Sequence, residues 1–438
     1  MSVGSVEHIM ATALAINEAP VVSNVDRPRR LPRLSALRIF AAVGVVLCHV
    51  GYYFTSTRVL RKAEVYGYGG VEFFFLLSGF VLTWAWLHRP IAVRRFWWRR
   101  IAKLYPITLA LMIFAYLALS RYERIPGTRG KVLELTLFQA WWPKERVYFG
   151  GNGVSWSLSC EIFFYLVFPF VLAGIERLRT RGYWTLVAIT LGILVVAPLT
   201  ATVTGVAEPV RYWLFFVFPP YQFGFFLLGM LLARAMREGV RLPKPSLIFG
   251  LALAWLGVLV AVGADYSLHH GHGLSRPMVL LVALPAFVAL LGAAVSKDLD
   301  RKRSFMTSRV LTYLGIVSFE LYLVHKPLFL LALPSGVWNN SGGLSGALML
   351  IGFLGIATVV AIGVHHVGQV PIERVLTGKA HPIQWARSAP ARLRVFACGL
   401  LIWLACRVVD WSELDHGQIV SPLACHPCDE NVCDKLEL

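Results

Sequence analysis

Apolar runs of about 20 residues recur along most of the chain, separated by short polar or basic stretches. At a rise of about 1.5 Å per residue, each run is long enough to cross a hydrocarbon core of roughly 30 Å as a helix. The pattern predicts spans over 36–54, 69–88, 104–120, 156–175, 183–203, 212–233, 247–264, 277–295, 310–333 and 345–370. An all-α polytopic membrane fold of about ten transmembrane helices follows. A further apolar stretch, 395–409, is short and carries Arg407 near its end. It predicts either an eleventh crossing or a helix lying on the membrane. Between the third and fourth spans, 132–142 is apolar but too short to cross, which predicts an interfacial or re-entrant helix. No connection is long enough to fold alone as a soluble domain. The organisation expected is a mobile tail at 1–32, a membrane domain at 33–375 and a C-terminal extension at 376–438.

Composition agrees with this pattern. Hydrophobic residues make up 57% of the chain and charged residues 15%, with mean hydropathy +0.63. A soluble domain carries about 25% charged residues. No basic n-region leads into an apolar h-region at the start, so no cleavable signal is expected. The net charge of +18 raises the question of nucleic acid, and its distribution answers it. With the N-terminus in the cytoplasm, the inner segments hold 28 of the 42 basic residues. They include Arg38, the run from Arg94 to Lys103, and the cluster from Lys297 to Arg309. This is the positive-inside bias of a cell inner (plasma) membrane protein, and nucleic acid is not a partner. In the tail, Cys425, Cys428 and Cys433 with His426 are a partial zinc-ligand pattern, with one CxxC and no second pair, and no metal is assigned. A disulfide among them requires the tail to lie outside.

Ionisable side chains within spans are costly and tend to mark function. In LRIFAAVGVVLCHV, Arg38 and His49 lie eleven residues apart, on one helix face and roughly 16 Å apart. Their bland reading is a topology residue and an interfacial residue. In VSWSLSCEIFFY, Glu161 lies one turn into a span with Ser157 and Tyr165 on the same face. A carboxylate there must be paired, hydrogen-bonded or protonated, for packing or for chemistry. In SFELYLVHKPL, Ser318, Tyr322 and His325 share one face while Glu320 lies off it. The basic loop RRFWWRRIAKLYP suits either anionic lipid with an aromatic belt or a phosphate-rich soluble ligand.

Taken in order, these pieces resemble the acyltransferase-3 family of membrane acyltransferases, which modify surface glycans, lipid-linked sugars and some antibiotics. Arg38 to His49 matches its Arg-x10-His signature. GGVEFFFLLSGFVL, with Glu72, is similar to its second span, and FWWRRIAKLYP to its basic motif. SWSLSCEIFFY, with Trp156, resembles its Trp-Ser-Leu-x-x-Glu motif, and ELYLVHKP its late Tyr-Leu-x-His motif. Two departures stand out: Lys103 replaces the more usual Arg, and HHVGQVPIERVL matches the family's ending only loosely.

The resemblance implies transfer of an acyl group, with acetyl the one expected, from cytoplasmic acyl-CoA to a hydroxyl of a carbohydrate or glycosylated acceptor. Acyl-CoA is a co-substrate, and no permanently bound cofactor is expected. Donor phosphates would dock on Arg95, Arg99, Arg100 and Lys103, with the pantetheine arm beside Arg38. His49 would take the acceptor proton or relay the acyl group, and Glu161 would orient His49. His325 would complete the catalytic set, with Glu72, Trp156, Ser157, Ser318 and Tyr322 on the acceptor or supporting side. A transporter using His and Glu as a proton relay is the main alternative, but two similar halves with paired broken helices are not found. A lipid-linked glycosyltransferase would show acidic residues early in a long outer loop, yet 55–68 offers only Glu64.

Overall fold

The computed structural model describes residues 30–54, 67, 69–119, 126–270, 276–301, 303–332 and 343–378, and every regular element among them is helical. The long helices are α1 (Pro32–Phe54), α2 (Gly69–Trp86), α3 (Val93–Leu119), α4 (Trp156–Arg177) and α5 (Thr180–Val203). They continue as α6 (Pro219–Arg237), α7 (Pro245–His270), α8 (Arg276–Leu299), α9 (Arg309–Ala332) and α10 (Gly343–Val364). Among the described residues, eight helical segments are long and apolar enough to cross a membrane. The expected crossings at 104–120 and 247–264 lie in α3 and α7. The basic segment before 104, read from sequence as a loop, is instead the first half of α3. No breaker separates its cations from the apolar half, and Pro106 is accommodated inside the helix. The expected crossing at 395–409 and the Cys425–Cys428–Cys433 tail lie outside the described residues.

Close backbone packing builds the centre. A Cβ on Gly79 would collide with the Phe226 carbonyl, and one on Gly229 with the Leu76 carbonyl, so α2 and α6 meet where neither carries a side chain. Gly315 likewise faces the Ser35 carbonyl, bringing α9 onto α1. In hydrocarbon, where helices gain little from burying apolar surface, such contacts and interhelical polar bonds supply the association. Phe75, Phe164, Phe168 and Phe226 fill the space around the α2–α6 contact in edge-on and tilted pairs with centroids 5.0 to 6.1 Å apart. Peripheral faces such as Ile193 and Val196 on α5 and Ile351 and Ile356 on α10 stay exposed, as a lipid-facing surface requires.

Two cations fasten the basic end. Arg33 and Asp298 form a buried ion pair at 2.7 Å, joining the start of α1 to the end of α8, and Arg33 also donates to Ser304 Oγ at 3.2 Å. Arg234 donates to the Ile175 carbonyl and, at 2.9 Å, to the Leu178 carbonyl. Arg234 thereby ties the C-terminal end of α4 to α6.

The expected re-entrant stretch appears as short turns at Thr128–Leu135, Gln139–Trp141 and Glu145–Tyr148. They are held to the bundle by Tyr105 Oη donating to the Leu135 carbonyl at 2.7 Å and Trp213 Nε1 to the Ala140 carbonyl at 3.0 Å.

Candidate active site

A cavity of about 390 Å³ opens between α1, α2, α3, α4, α9 and the turn His365–Gln369. Small-molecule sites span about 300–1,000 Å³, so the space suits one ligand or one arm of a larger one. One wall carries Arg38, Arg100 and Lys103. Arg38 has no hydrogen-bond or ion-pair partner among the described residues, and neither has the Lys103 ammonium. The Arg100 guanidinium lies over the rings of Phe96 and Tyr165, 5.3 and 5.8 Å from their centroids, and its Nε is buried without a partner. Glu161 accepts from Tyr165 Oη at 3.0 Å and lies within the field of all three cations. On the facing wall, Glu320 holds His365 Nδ1 at 2.7 Å, and Glu373 stands nearby on the same lining.

Why these residues converge follows from local periodicity. On α3, Phe96, Arg100 and Leu104 recur on the inward face, with Lys103 beside them. Arg95 and Arg99 fall on the opposite face and are exposed. The structure thus divides the predicted phosphate cluster: Arg100 and Lys103 line the cavity, Arg95 and Arg99 do not.

The cavity ends at Ser157 and Tyr322, whose hydroxyls lie 2.7 Å apart and share the Val154 carbonyl. One turn further along α9, His325 is fully buried, its ring centroid 6.0 Å from that of Tyr322. His325 Nε2 lies 3.2 Å from His49 Nδ1, and the two rings are tilted at 40° with centroids 5.1 Å apart. The neighbours fix the tautomers. His325 Nδ1 faces the Leu321 carbonyl at 3.2 Å, which only accepts, so that nitrogen carries the proton and Nε2 accepts. His49 Nδ1, 2.9 Å from the Val45 carbonyl, then donates, which leaves His49 Nε2 as its basic nitrogen.

This geometry changes one expected partnership. The sequence suggested Glu161 as the group orienting His49; the structure sets Glu161 among the cavity cations and places His325 against His49 instead. The i, i+4 spacing of Ser157 and Glu161 misled because Ser157 turns to Tyr322 on another helix. Ser318 is buried and donates to the Gly315 carbonyl at 2.9 Å on the cavity wall. Trp156 is buried edge-on against Phe75. Glu72 is fully buried away from the cavity lining, and neither carboxylate oxygen has a hydrogen-bond partner.

Three residues escaped the sequence reading. Glu320 lies off the helix face that Ser318, Tyr322 and His325 share, and His365 stands in the loosely matching HHVGQ. Glu134 sat unremarked in the apolar stretch of the re-entrant segment, where a lone carboxylate was the available signal. It is fully buried, accepting from Tyr116 Oη at 2.5 Å, the Asn152 amide at 3.1 Å and Ser155 Oγ at 3.3 Å. Burial pushes its carboxyl up to about 7, against the opposing pull of those hydrogen bonds. Among the described residues, no group of three or more His, Cys, Asp or Glu is arranged to hold a metal ion.

Comparison with known proteins adds to the geometry. The acyltransferase-3 model, described as an acyltransferase domain, matches residues 31–367. Acyltransferase MdmB of Streptomyces mycarofaciens is 31% identical over 385 residues, covering 82% of this chain and 95% of MdmB. O-acetyltransferase OatA of Staphylococcus aureus (strain NCTC 8325 / PS 47) is 28% identical over 189 residues, covering 39% of this chain and 30% of OatA. No solved structure matches the chain significantly.

Proposed function

Because the chain belongs to the acyltransferase-3 family of membrane acyltransferases, we propose that it moves an acetyl group from cytoplasmic acetyl-CoA to a hydroxyl of a carbohydrate or glycosylated acceptor. The observation that carries this reading is the cavity whose cations Arg38 and Lys103 form no direct ion pair among the described residues and whose Tyr322 wall adjoins a histidine pair. A polyanionic donor offers these cations the direct partners they do not have. Its phosphates rest on Arg100 and Lys103, with Arg95 and Arg99 on the exposed side of the same helix, and its pantetheine arm runs past Arg38 toward Tyr322. Lys103 acts there as a point charge rather than a fork. The name of OatA supports acetyl as the group and oxygen as the acceptor atom.

His49 is the base of the reaction. As the acceptor oxygen attacks the thioester carbonyl, the hydroxyl proton passes to His49 Nε2. The C–S bond then breaks, and His49 returns the proton to the leaving sulfur, so that the free thiol of CoA departs. His325 holds His49 in the tautomer that makes Nε2 basic. Glu161 offsets and orients the cations that hold the donor. Incubating the purified protein with acetyl-labelled acetyl-CoA and a panel of sugars, glycosides and lipid-linked saccharides tests the reading. Label in an acceptor, lost in His49→Ala, is the expected result. No acceptor labelled, with donor turnover identical in wild type and His49→Ala, would overturn it.

A further inference from the structure

The re-entrant segment is fastened to α9 just before the histidine, at Tyr322 and Leu323. Asn152 Nδ2 donates to the Leu323 carbonyl at 3.0 Å, and Tyr322 Oη donates to the Val154 carbonyl at 2.8 Å. Both anchors lie within residues 152–155, and the same residues are held by Glu134 through the Asn152 backbone amide and the Ser155 hydroxyl. Gly151, at φ +50°, brings the chain so close that a Cβ there would collide with the Glu134 carboxylate. Lys326, next in sequence to His325, packs against Gly153 from the other side.

The charged and titratable groups facing the Glu134 carboxylate are Tyr116 from α3 and Lys326 from α9. The other two partners are the Asn152 amide and the Ser155 hydroxyl of the loop, so all three direct hydrogen bonds come from donors, the set an ionised carboxylate satisfies best. Lys326 adjoins His325 on α9, one residue further along the helix. A positive charge beside an imidazole resists the imidazolium that forms when His49 accepts a proton. A carboxylate on the far side of that lysine offsets the resistance.

We propose that Glu134 is a positioning residue for the histidine pair: with Lys326 it forms a charge couple that sets how readily the pair accepts a proton, while its hydrogen bonds seat the 152–157 loop on α9. The proposal rests on the reading of His49 as the base, and its test includes a measurement independent of turnover. Four proteins are compared: wild type, Glu134→Gln, Lys326→Met and the double variant. In each, the pH dependence of His49 modification by diethylpyrocarbonate is followed by mass spectrometry, alongside the pH–rate profile of acetyl transfer. Glutamine keeps an acceptor for the Asn152 amide and an NH2 that the Tyr116 oxygen can receive, so folding is preserved.

Removing the negative charge, which Glu134 carries as pH rises through about 7, shifts the pH midpoint for His49 modification downward, and removing the positive charge shifts it upward. Each shift is up to about one pH unit, the scale of a unit-charge interaction at an effective dielectric constant of about 20. The double variant returns close to wild type. Opposite, cancelling shifts are something a merely structural role does not produce. Midpoints unchanged in both single variants, or shifted in the same direction, overturn the proposal. Cancelling shifts without acetyl transfer in wild type would uphold the couple and sink the assigned reaction instead.

Discussion

Substitutions at the two histidines separate the base from its support. His49→Ala removes the nitrogen that receives the acceptor proton, and loss of a general base costs about 10²- to 10⁴-fold in rate. His325 contributes, on the geometry, one hydrogen bond of 3.2 Å to His49 Nδ1. A buried neutral hydrogen bond is worth about 0.5–1.5 kcal/mol net, which corresponds to roughly 2- to 13-fold. His325→Gln places an amide oxygen near the position of Nε2 and retains acceptance, so kcat should fall by no more than about 3-fold. His325→Phe keeps the ring volume but removes the acceptor facing His49 Nδ1, and kcat should fall by about 10-fold. The assay is initial rate of acetyl transfer at saturating donor and acceptor, with thermal stability in detergent as the folding control. The expected order of damage is His49→Ala, then His325→Phe, then His325→Gln. A His325→Gln variant that folds normally yet is as impaired as His49→Ala would refute the supporting role and make His325 a proton carrier in its own right.

Three other outcomes follow from the same geometry. Arg100→Ala should raise the apparent KM for acetyl-CoA by about 10-fold, the worth of one charge-assisted contact, and leave the acceptor KM unchanged; an effect confined to the acceptor contradicts the placement. Glu161→Gln should alter the donor KM by about 3- to 10-fold and kcat by less, since the carboxylate faces Arg38, Arg100 and Lys103; a hundredfold loss of kcat at constant donor KM would return Glu161 to the chemistry at His49. Glu134 is raised from 4.5 to about 7 in the fold, so the folded protein binds that proton more tightly than the unfolded chain. Its stabilising contribution is therefore complete below about pH 4.5 and is lost as pH rises through about 7, amounting to about 3 kcal/mol over the window. Thermal unfolding in detergent across that range should show a downward slope that Glu134→Gln flattens; equal slopes would refute the assignment.

What the sequence revealed and what it concealed have separate physical causes. Hydrophobic run length read the membrane helices because a bilayer imposes one length on every crossing, independent of neighbours. It misplaced the start of α3 because a helix can continue past the apolar boundary, and the cations of 94–103 lie on a helix as readily as in a loop. Helical spacing linked Arg38 with His49 along α1, and it grouped Tyr322 with His325 along α9. It could not say that His49 would meet His325, because that contact joins residues 276 positions apart. The same limit explains the error at Glu161: its i, i+4 neighbours were legible, while the cations it serves arrive from α1 and α3. Glu134 and Glu320 were hidden for the converse reason. Each looks unremarkable along its own helix and acquires meaning only through partners on other elements, Tyr116 and Asn152 for one, His365 for the other. In a membrane bundle every carboxylate off the lipid face must find such a partner, so an isolated Glu in an apolar stretch is itself the signal. By that criterion Glu72, buried with neither oxygen hydrogen-bonded, stands out among the described residues as a carboxylate whose partner the protein alone does not supply.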